Sequence, residues 1–595
     1  MISVARRSAA ALALRWHAGT GALVALAAAL TLIGTLPTLT LLGGTAATPT
    51  LTLSLADTSR ILADWGGRGV AWPQLQQLAL LRLSGVLAGA VVLTLAVGAA
   101  TLLALHVART ATRSPEVIVA RSVGGSRSDI VGAMLLEAAA LAGVALCATM
   151  AIVLVAIPLM RAAWPGAVGP TQVAISAAAT LGVTALVMIA PLLMVRALST
   201  TRLVDDDRRP LTLIVPALQL GAALVVLAGG VALRDLTTRQ RQLISDPALS
   251  RTLVQDVHAD AGDRLARAKQ FSAFLAAQHA HDRGALVSLA SSGMHRGFGV
   301  AATAMSDCGD CSVSGMPARY RTETVVHSAV SGDSFALSGL RIRQGRALTD
   351  ADRWDAPLVA VVNASLAREM FDHGNAIGRR IQLGLLGDRW FEIVGIVDDA
   401  TPRGLGSALQ PRLGVYVSVL QHPVAALEVA SLERALPRNV VGQIGTARGG
   451  AASMVERLAP DVRALGWFAE VLMAMGAVTA VIAIGGLIAL LQLWLTSQQR
   501  ELGIRRAMGA SRRDIHRLVL GRAVLVAIGG SAFGAWLGQI AWDVLPRVVP
   551  GAPMWDGTAV VITALLLSLL TLAVAWILSH RFTRVPVGSL LIDVG

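Results

Sequence analysis

The sequence predicts an α-helical membrane protein with eight transmembrane helices in two pseudo-repeats of four, plus one α+β domain outside the bilayer. Three observations predict it. First, 54% of the residues are hydrophobic and only 15% charged, with a mean hydropathy of +0.63, a balance foreign to soluble domains. Second, eight apolar runs are long enough to cross a hydrocarbon core of about 30 Å: residues 19–44, 83–107, 131–157, 172–195, 211–233, 466–494, 517–545 and 558–579. Third, a charged stretch between two such runs occurs twice. One constant offset pairs Glu116 with Glu501, Arg121 with Arg506, Gly124 with Gly509, Ser126 with Ser511, Arg127 with Arg512, Asp129 with Asp514 and Ile130 with Ile515. Internal similarity at one offset signals duplicated architecture.

The elements follow in order. Residues 1–18 form a basic N-terminus. The run 19–44 contains Pro37 but no evident small-residue cleavage site, and it has a counterpart in the second half, so it reads as a retained helix rather than a signal peptide. A small excursion, 45–82, leads to 83–200, which holds three spans with a charged hinge at 109–130. A short linker, 201–210, precedes the fifth span at 211–233. The excursion 234–465 is polar enough to fold. It opens on a helical extension, Arg234 to Leu243, followed by an amphipathic stretch, Ala261 to His279, with Leu265, Ala268, Phe271 and Leu275 at helical spacing. Strand-like runs come next: Leu358 to Val362, Arg380 to Leu383, Trp390 to Val397 and Gly414 to Val419. Asn363 is placed to cap a helix from Ala364 to Phe371. Residues 466–579 carry the last three spans with the second hinge at 495–516, and 580–595 form the tail.

Arginine sets the orientation. Arg6, Arg7 and Arg15 precede the first span; Arg109, Arg113, Arg121 and Arg127 lie in the first hinge; Arg196, Arg202, Arg208 and Arg209 follow the fourth span. Arg500, Arg505, Arg506, Arg512 and Arg513 lie in the second hinge, and Arg581 and Arg584 follow the last span. With eight alternating spans all these loops share one side, which the positive-inside rule makes cytoplasmic. Trp16, Trp164, Trp494, Trp542 and Trp555 fall near span ends, as interfacial anchors do. Topology thus accounts for the net charge of +14, and no recognition motif accompanies the basic residues to suggest nucleic-acid binding.

The order Arg500-Glu-Leu-Gly-Ile-Arg-Arg-Ala-Met-Gly-Ala-Ser-Arg-Arg-Asp-Ile515 resembles the FtsX/MacB superfamily of ABC-transporter permeases. The segments Gly345–Leu348, Val361–Arg368, Gly374–Arg380 and Glu392–Val397 look like the periplasmic core domain of MacB-type members, most of all the duplicated permeases with both halves on one chain. The resemblance implies an inner-membrane protein with both termini cytoplasmic and the large domain periplasmic. It implies that each hinge forms a coupling helix docking on a separate ABC ATPase, which acts as a dimer and binds the ATP and Mg. A membrane-fusion protein and an outer-membrane channel are further partners in such systems. The residues carried over as ATPase-coupling are Glu501, Arg505, Arg506, Gly509, Ser511, Arg512 and Asp514, with Glu116, Arg121, Gly124, Ser126, Arg127 and Asp129 in the first hinge. That first copy departs from the pattern: Pro115 replaces an arginine, and Ile118 and Ala120 replace a glycine and an arginine. The small first excursion departs too, since such permeases usually carry two large external domains.

The residues support parts of this on their own. Glu501 and Arg505 stand four apart and can pair on one helical face. Gly509 permits a turn. Ser511 can cap a helix running into the seventh span, with Asp514 favourable in its first turn. The bland alternative is that short cytoplasmic loops are basic for topology alone, which explains charge but not the repeated order. Lys269 is the only lysine and Gln270 follows it, so no Walker A loop exists in this sequence; if ATP drives the protein, a partner binds it. No nucleophile elbow, HExxH or paired-carboxylate motif is present, and no cofactor or metal site is expected.

Three further groups stand out. Glu137 and Arg522 are intramembrane charges at equivalent repeat positions, so they either pair across a pseudo-two-fold axis or snorkel separately to the interface. Cys308 and Cys311, in Cys-Gly-Asp-Cys, suit a disulfide pinning an external loop; a redox centre or zinc site lacks the surrounding motif. His279, His281 and Asp282 read as a solvated helix end rather than a metal site. Two other functions compete with the permease: an FtsX-like signalling or scaffold subunit regulating a periplasmic partner, and a secondary transporter built from repeats.

Overall fold

The computed structural model describes residues 211–583 except 260–261, 283, 292, 297–298, 314–315, 372–373, 401–412, 499–500, 503, 506–507 and 549–556. It also describes Val86, Leu87, Gly89, Ala90, Val92, Leu93, Thr94, Ala96 and Val97 of an upstream helix. The expected first, third and fourth spans and the first hinge lie outside the described residues.

Helix α1 (Leu211–Ile244) runs without a break from the fifth expected span into the folded domain. The span and its extension are therefore one rod. In the domain, the chain alternates strands with α2 (Arg264–His281) and α3 (Ala364–Met370). The strands are β1 (Thr252–His258), β2 (Val287–Ser291), β3 (Val300–Val313), β4 (Met316–Val330), β5 (Ile342–Gly345) and β6 (Val359–Asn363). They continue as β7 (Arg380–Leu383), β8 (Trp390–Val397), β9 (Gly414–Ser418), β10 (Ala426–Leu432) and β11 (Thr446–Ser453). Their order is β11-β1-β10-β2-β4-β3-β7-β8-β6-β9, with β5 beside β8, and a parallel β4–β9 pairing closes part of this path into a ring.

Strands β2, β6 and β9 are buried at every position, as strands covered on both faces must be. One core gathers Phe271, Phe274, Leu289, Val325, Val362, Leu366, Ile393 and Val417. Asn363 caps α3 by accepting from the Leu366 N–H at 3.0 Å, and the same oxygen accepts from the Gly414 N–H at 2.9 Å, tying the helix start to β9. The α2 stripe needs one correction: Phe274 is buried where Leu265 was expected, and Leu265 stands 44% exposed at the helix start.

Three long helices complete the described membrane half: α4 (Met454–Ser497), α5 (Arg512–Val548) and α6 (Gly557–Thr583). With α1 they are, among the described residues, the four helices long and apolar enough to cross a membrane. Helix α4 starts within the domain, well before the expected span start at 466. It packs antiparallel on α1 through backbone contact: a Cβ at Gly230 would lie 2.9 Å from the Met473 nitrogen, and one at Gly476 would lie 2.7 Å from the Leu227 nitrogen. Small residues are what let helices approach this closely in a bilayer.

Cys308 and Cys311 fall within β3, where the β3–β4 register shifts between Asp307 and Cys311, rather than in the loop expected. Their side chains lie outside the described residues. The disulfide is accordingly tested directly: alkylation of the denatured, unreduced chain should modify Cys147 alone, and modification of three cysteines would refute the pairing.

His327, on β4, is buried, and neither ring nitrogen has a hydrogen-bond partner. Its ring meets that of His422 edge-on at 5.7 Å. Burial, reinforced by the neighbouring ring, pushes His327 down to about 3; burial, with Arg264 and Arg389, pushes His422 down to about 4. A depressed folded-state value means the unfolded chain binds more protons between about 3 and 6.5, so stability falls as pH drops through that window. Thermal melts of the purified chain should lose Tm steadily below about pH 6.5, and His327→Leu should flatten that acid limb. An unchanged pH profile in the variant would contradict the assignment.

Candidate coupling hinge and its joint with the sheet

The hinge between α4 and α5 is built as a short amphipathic helix closed by a glycine turn. Glu501, Leu502, Ile504 and Arg505 are helical, and the Leu502 N–H continues the ladder onto the Gln498 carbonyl at 2.9 Å. Leu502 is 3% exposed and packs with Leu487, Leu491, Leu495, Val519 and Ala523, which seats the hinge on the span ends. The other face points away: Ile504 and Met508 are 46% and 78% exposed, beside exposed Arg505. Glu501 and Arg505 form the expected i,i+4 ion pair. Both are about half exposed, where such a pair contributes roughly 0.3–0.5 kcal/mol, enough to orient the arginine but not to hold the fold.

Termination follows from Gly509, whose φ of +99° only glycine adopts without strain. The Met508 N–H bonds the Ile504 carbonyl at 2.9 Å, and the Ala510 N–H reaches back five residues to the Arg505 carbonyl at 2.9 Å. That six-to-one bond after a left-handed residue is the Schellman closure. Helix α5 then starts at Arg512. The Asp514 carboxylate accepts from the Ser511 N–H at 2.9 Å and from the Ser511 hydroxyl at 2.7 Å. The cap is therefore supplied by Asp514 more than by Ser511, reversing the expected roles. Arg512 and Arg513 stand exposed in the first turn, where the helix dipole opposes positive charge by about 0.3–1 kcal/mol each. Local helix stability does not explain them.

Two side chains anchor the hinge sideways. His516 Nδ1 lies 2.7 Å from the Ser579 hydroxyl and its ring stacks near His580, which ties α5 to the end of α6. Arg522 lays its guanidinium over the Trp494 ring at 3.9 Å, a cation–π contact between α5 and the end of α4. Arg506 lies outside the described residues, as do Glu116, Arg121, Gly124, Ser126, Arg127, Asp129 and Glu137, so the proposed Glu137–Arg522 pair has no described geometry.

At its other end α4 is locked under the sheet. Ser453 and Glu456 form a full capping box: the Ser453 N–H donates to the Glu456 carboxylate at 2.9 Å, and the Glu456 N–H donates to the Ser453 hydroxyl at 3.2 Å. Arg457, 10% exposed, donates through one Nη to both oxygens of Asp256 on β1 at 2.9 Å. Met454 and Leu458 are fully buried with Leu249, Val254, Leu337 and Ala430. Pro460 removes one ladder hydrogen bond in the next turn, yet the helix runs on unbroken. The sequence reading missed this joint because β1 and β10 carry too few apolar residues in alternation to announce themselves.

His279 departs from the solvated helix end expected. Its Nε2 lies 3.1 Å from Asp333 and its Nδ1 3.1 Å from Asp350. Partial burial opposes the charged ring, but the hydrogen bond and charge of Asp333, with Asp350, outweigh it and raise the histidine above 6.5. As an imidazolium donating from both nitrogens, it staples α2 to two loops.

Comparison with known proteins fits this geometry. Residues 473–587 match the model of the FtsX-like permease C-terminal domain, and residues 219–458 match that of the MacB-like periplasmic core domain. Relatives include three proteins described as macrolide export ATP-binding/permease protein MacB. That of Chromobacterium violaceum is 26% identical, over 37% of this chain and 36% of its own. That of Nitrosomonas europaea is 28% identical, over 33% and 32%. That of Escherichia coli O157:H7 is 24% identical, over 46% and 44%. The chain thus spans between a third and just under half the length of these relatives. Among solved structures, the periplasmic region of MacB from Actinobacillus actinomycetemcomitans covers 33% of this chain and 84% of its own at 14% identity, with a TM-score of 0.20. A MacB-like core domain inserted ahead of an FtsX-like permease domain, joined by α4, identifies the chain as a member of the FtsX/MacB family of ABC-type permeases.

Proposed function

We propose that this chain is the permease subunit of an inner-membrane ABC transporter that turns ATP hydrolysis by a separate ATPase into movement of its periplasmic domain. The observation that carries this is α4. It is one helix of 44 residues, about 66 Å at 1.5 Å per residue, clamped to the sheet at one end and to the hinge at the other. Closure of an ATPase dimer, with its ATP and Mg, would push on the hinge. The rod would tilt, and the domain would follow as a lever.

The hinge surface suits such a partner. Ile504 and Met508 are exposed apolar side chains, Arg505, Arg512 and Arg513 are exposed close by in sequence, and exposed apolar anchors with charged rims are how docking surfaces are built. Its arginines fit an acidic groove. The domain serves export of a peptide, lipid or hydrophobic compound, with a membrane-fusion protein and an outer-membrane channel completing the path. Both termini lie in the cytoplasm under this reading. The signalling alternative uses the same lever to regulate a periplasmic partner without cargo, and the partner that copurifies with the domain separates the two.

Two variants separate docking from transmission. Met508→Glu with Arg505→Glu should weaken copurification of the ATPase about tenfold or more while membrane insertion stays normal. Full retention of the ATPase would overturn the docking reading. Arg457→Ala should cost about 2 kcal/mol at the joint, keep the ATPase bound and hydrolysing, and lose the domain's output. An unaffected output would contradict the lever.

A further inference from the structure

The hinge-side ends of α5 and α6 meet through rings rather than aliphatic side chains. His580 stacks on Trp576, one turn back on α6, with centroids 5.4 Å apart and planes 6° from parallel. His516 of α5 stacks on His580 in turn, at 6.0 Å and 23°. The Ser579 hydroxyl donates its one proton to the Trp576 carbonyl at 2.8 Å, so it accepts from His516 Nδ1 at 2.7 Å. The rings are thereby tied in place across the two helices.

Trp576 closes an apolar stripe. At about 100° per residue, Leu565, Leu569, Trp576 and His580 fall within a sector of about 60° on α6. Leu565, Leu569 and Trp576 are each more than half exposed, and only 17% of the α6 span is buried, the least of the four described spans. This face therefore meets lipid rather than another helix. Leu565 lies about 16 Å along the helix from Trp576, close to the roughly 15 Å depth of one leaflet's hydrocarbon. Positive charge follows where the stripe ends. Arg512 and Arg513 are exposed and lie about 40° and 60° round α5 from His516, one turn toward the hinge. Asp514 is the one acid in this part of either helix. It stands roughly 160° round α5 from His516, and its carboxylate is taken by Ser511. Topology alone explains arginines at a span end. It does not explain a tied ring stack joining a lipid-facing stripe to guanidiniums that no carboxylate faces, and neighbouring cations repel unless an anion lies among them.

We propose that the hinge-side ends of α5 and α6 bind an anionic phospholipid of the surrounding bilayer. Its phosphate lies against Arg512 and Arg513 beside His580, its glycerol at Trp576, and an acyl chain over Leu569 and Leu565. Each part meets the group that suits it: guanidinium pairs with phosphate, tryptophan sits at the headgroup boundary, and basic clusters beside a span attract anionic lipid. A lipid is the occupant, rather than a soluble phosphate, because the cationic end continues directly from a lipid-facing stripe. The inference rests on α5 and α6 crossing a bilayer and stands whether or not an ATPase docks at Ile504 and Met508.

Native mass spectrometry of the full chain tests this, after release from nanodiscs holding equal amounts of phosphatidylglycerol and phosphatidylethanolamine. The chain should retain phosphatidylglycerol in preference by about tenfold or more. Arg513→Gln/His580→Gln, which spares the His516–Ser579 tie, should cut that preference to about twofold or less. Ile504→Ser/Met508→Ser, which removes the apolar anchors of the docking surface without changing charge, should leave the preference as it was. Equal retention of the two lipids, or a preference that survives the Arg513/His580 variant, would overturn the inference. Loss of the preference in the Ile504/Met508 variant would overturn it too, by placing the contact on the hinge. Should the Arg513/His580 variant not insert, a photoactivatable phosphatidylglycerol on the unmodified chain decides. Labelling of the peptides that carry His516 or Trp576 to His580 supports the site, and labelling confined elsewhere contradicts it.

Discussion

The proposed lever works only if neither end slips, and the constraint on which this structure depends is the double anchorage of α4. At the sheet, the capping box of Ser453 and Glu456 fixes where the helix begins. The Arg457–Asp256 contact then fixes its rotation, and buried Met454 and Leu458 hold it down. At the hinge, Leu502 closes the other end. Between them, the glycine contacts with α1 remove the side-chain layer that would let two rods shear past each other. A force applied at the hinge therefore has few soft degrees of freedom in which to dissipate.

The hinge shows the complementary design. Its fold is fixed by cheap local devices, a left-handed glycine, a carboxylate cap and one buried leucine, which leaves its outer face unencumbered. Arginines placed against the helix dipole and a methionine left in the open cost local stability, and such placements mark surfaces that work elsewhere. The first hinge is chemically different. Ala120 stands at the position of Arg505, so the i,i+4 partner of Glu116 is missing there. Unlike hinges present unlike sequences to the two ATPase subunits proposed above.

Much of this was legible in the sequence where a local rule applies. The last four apolar runs coincide with long helices. Asn363, Gly509 and the Glu501–Arg505 pair behave as their chemistry predicts. Strands β6 to β9 were visible because they are short, apolar and bounded by polar residues. The β3–β4 hairpin was invisible: small and polar residues interrupt its apolar ones, and its order comes from pairing on both sides. The joint at Arg457 was invisible for another reason, because it unites residues 201 positions apart. Extending the hinge offset upstream aligns Val86, Leu87 and Thr94 with Val471, Leu472 and Thr479, too few matches to announce that the Thr94 and Thr479 hydroxyls lie 2.8 Å apart.

The most direct measurement of the central claim is a distance between spin labels on exposed Arg353 of the domain and exposed Val561 of α6, in the chain assembled with its ATPase. Trapping the nucleotide-bound state should shift that distance, and replacing residues 461–466 of α4 with glycine should abolish the shift while hydrolysis continues. A distance unchanged between nucleotide-free and nucleotide-trapped states, or a shift that survives the glycine replacement, would contradict transmission through α4.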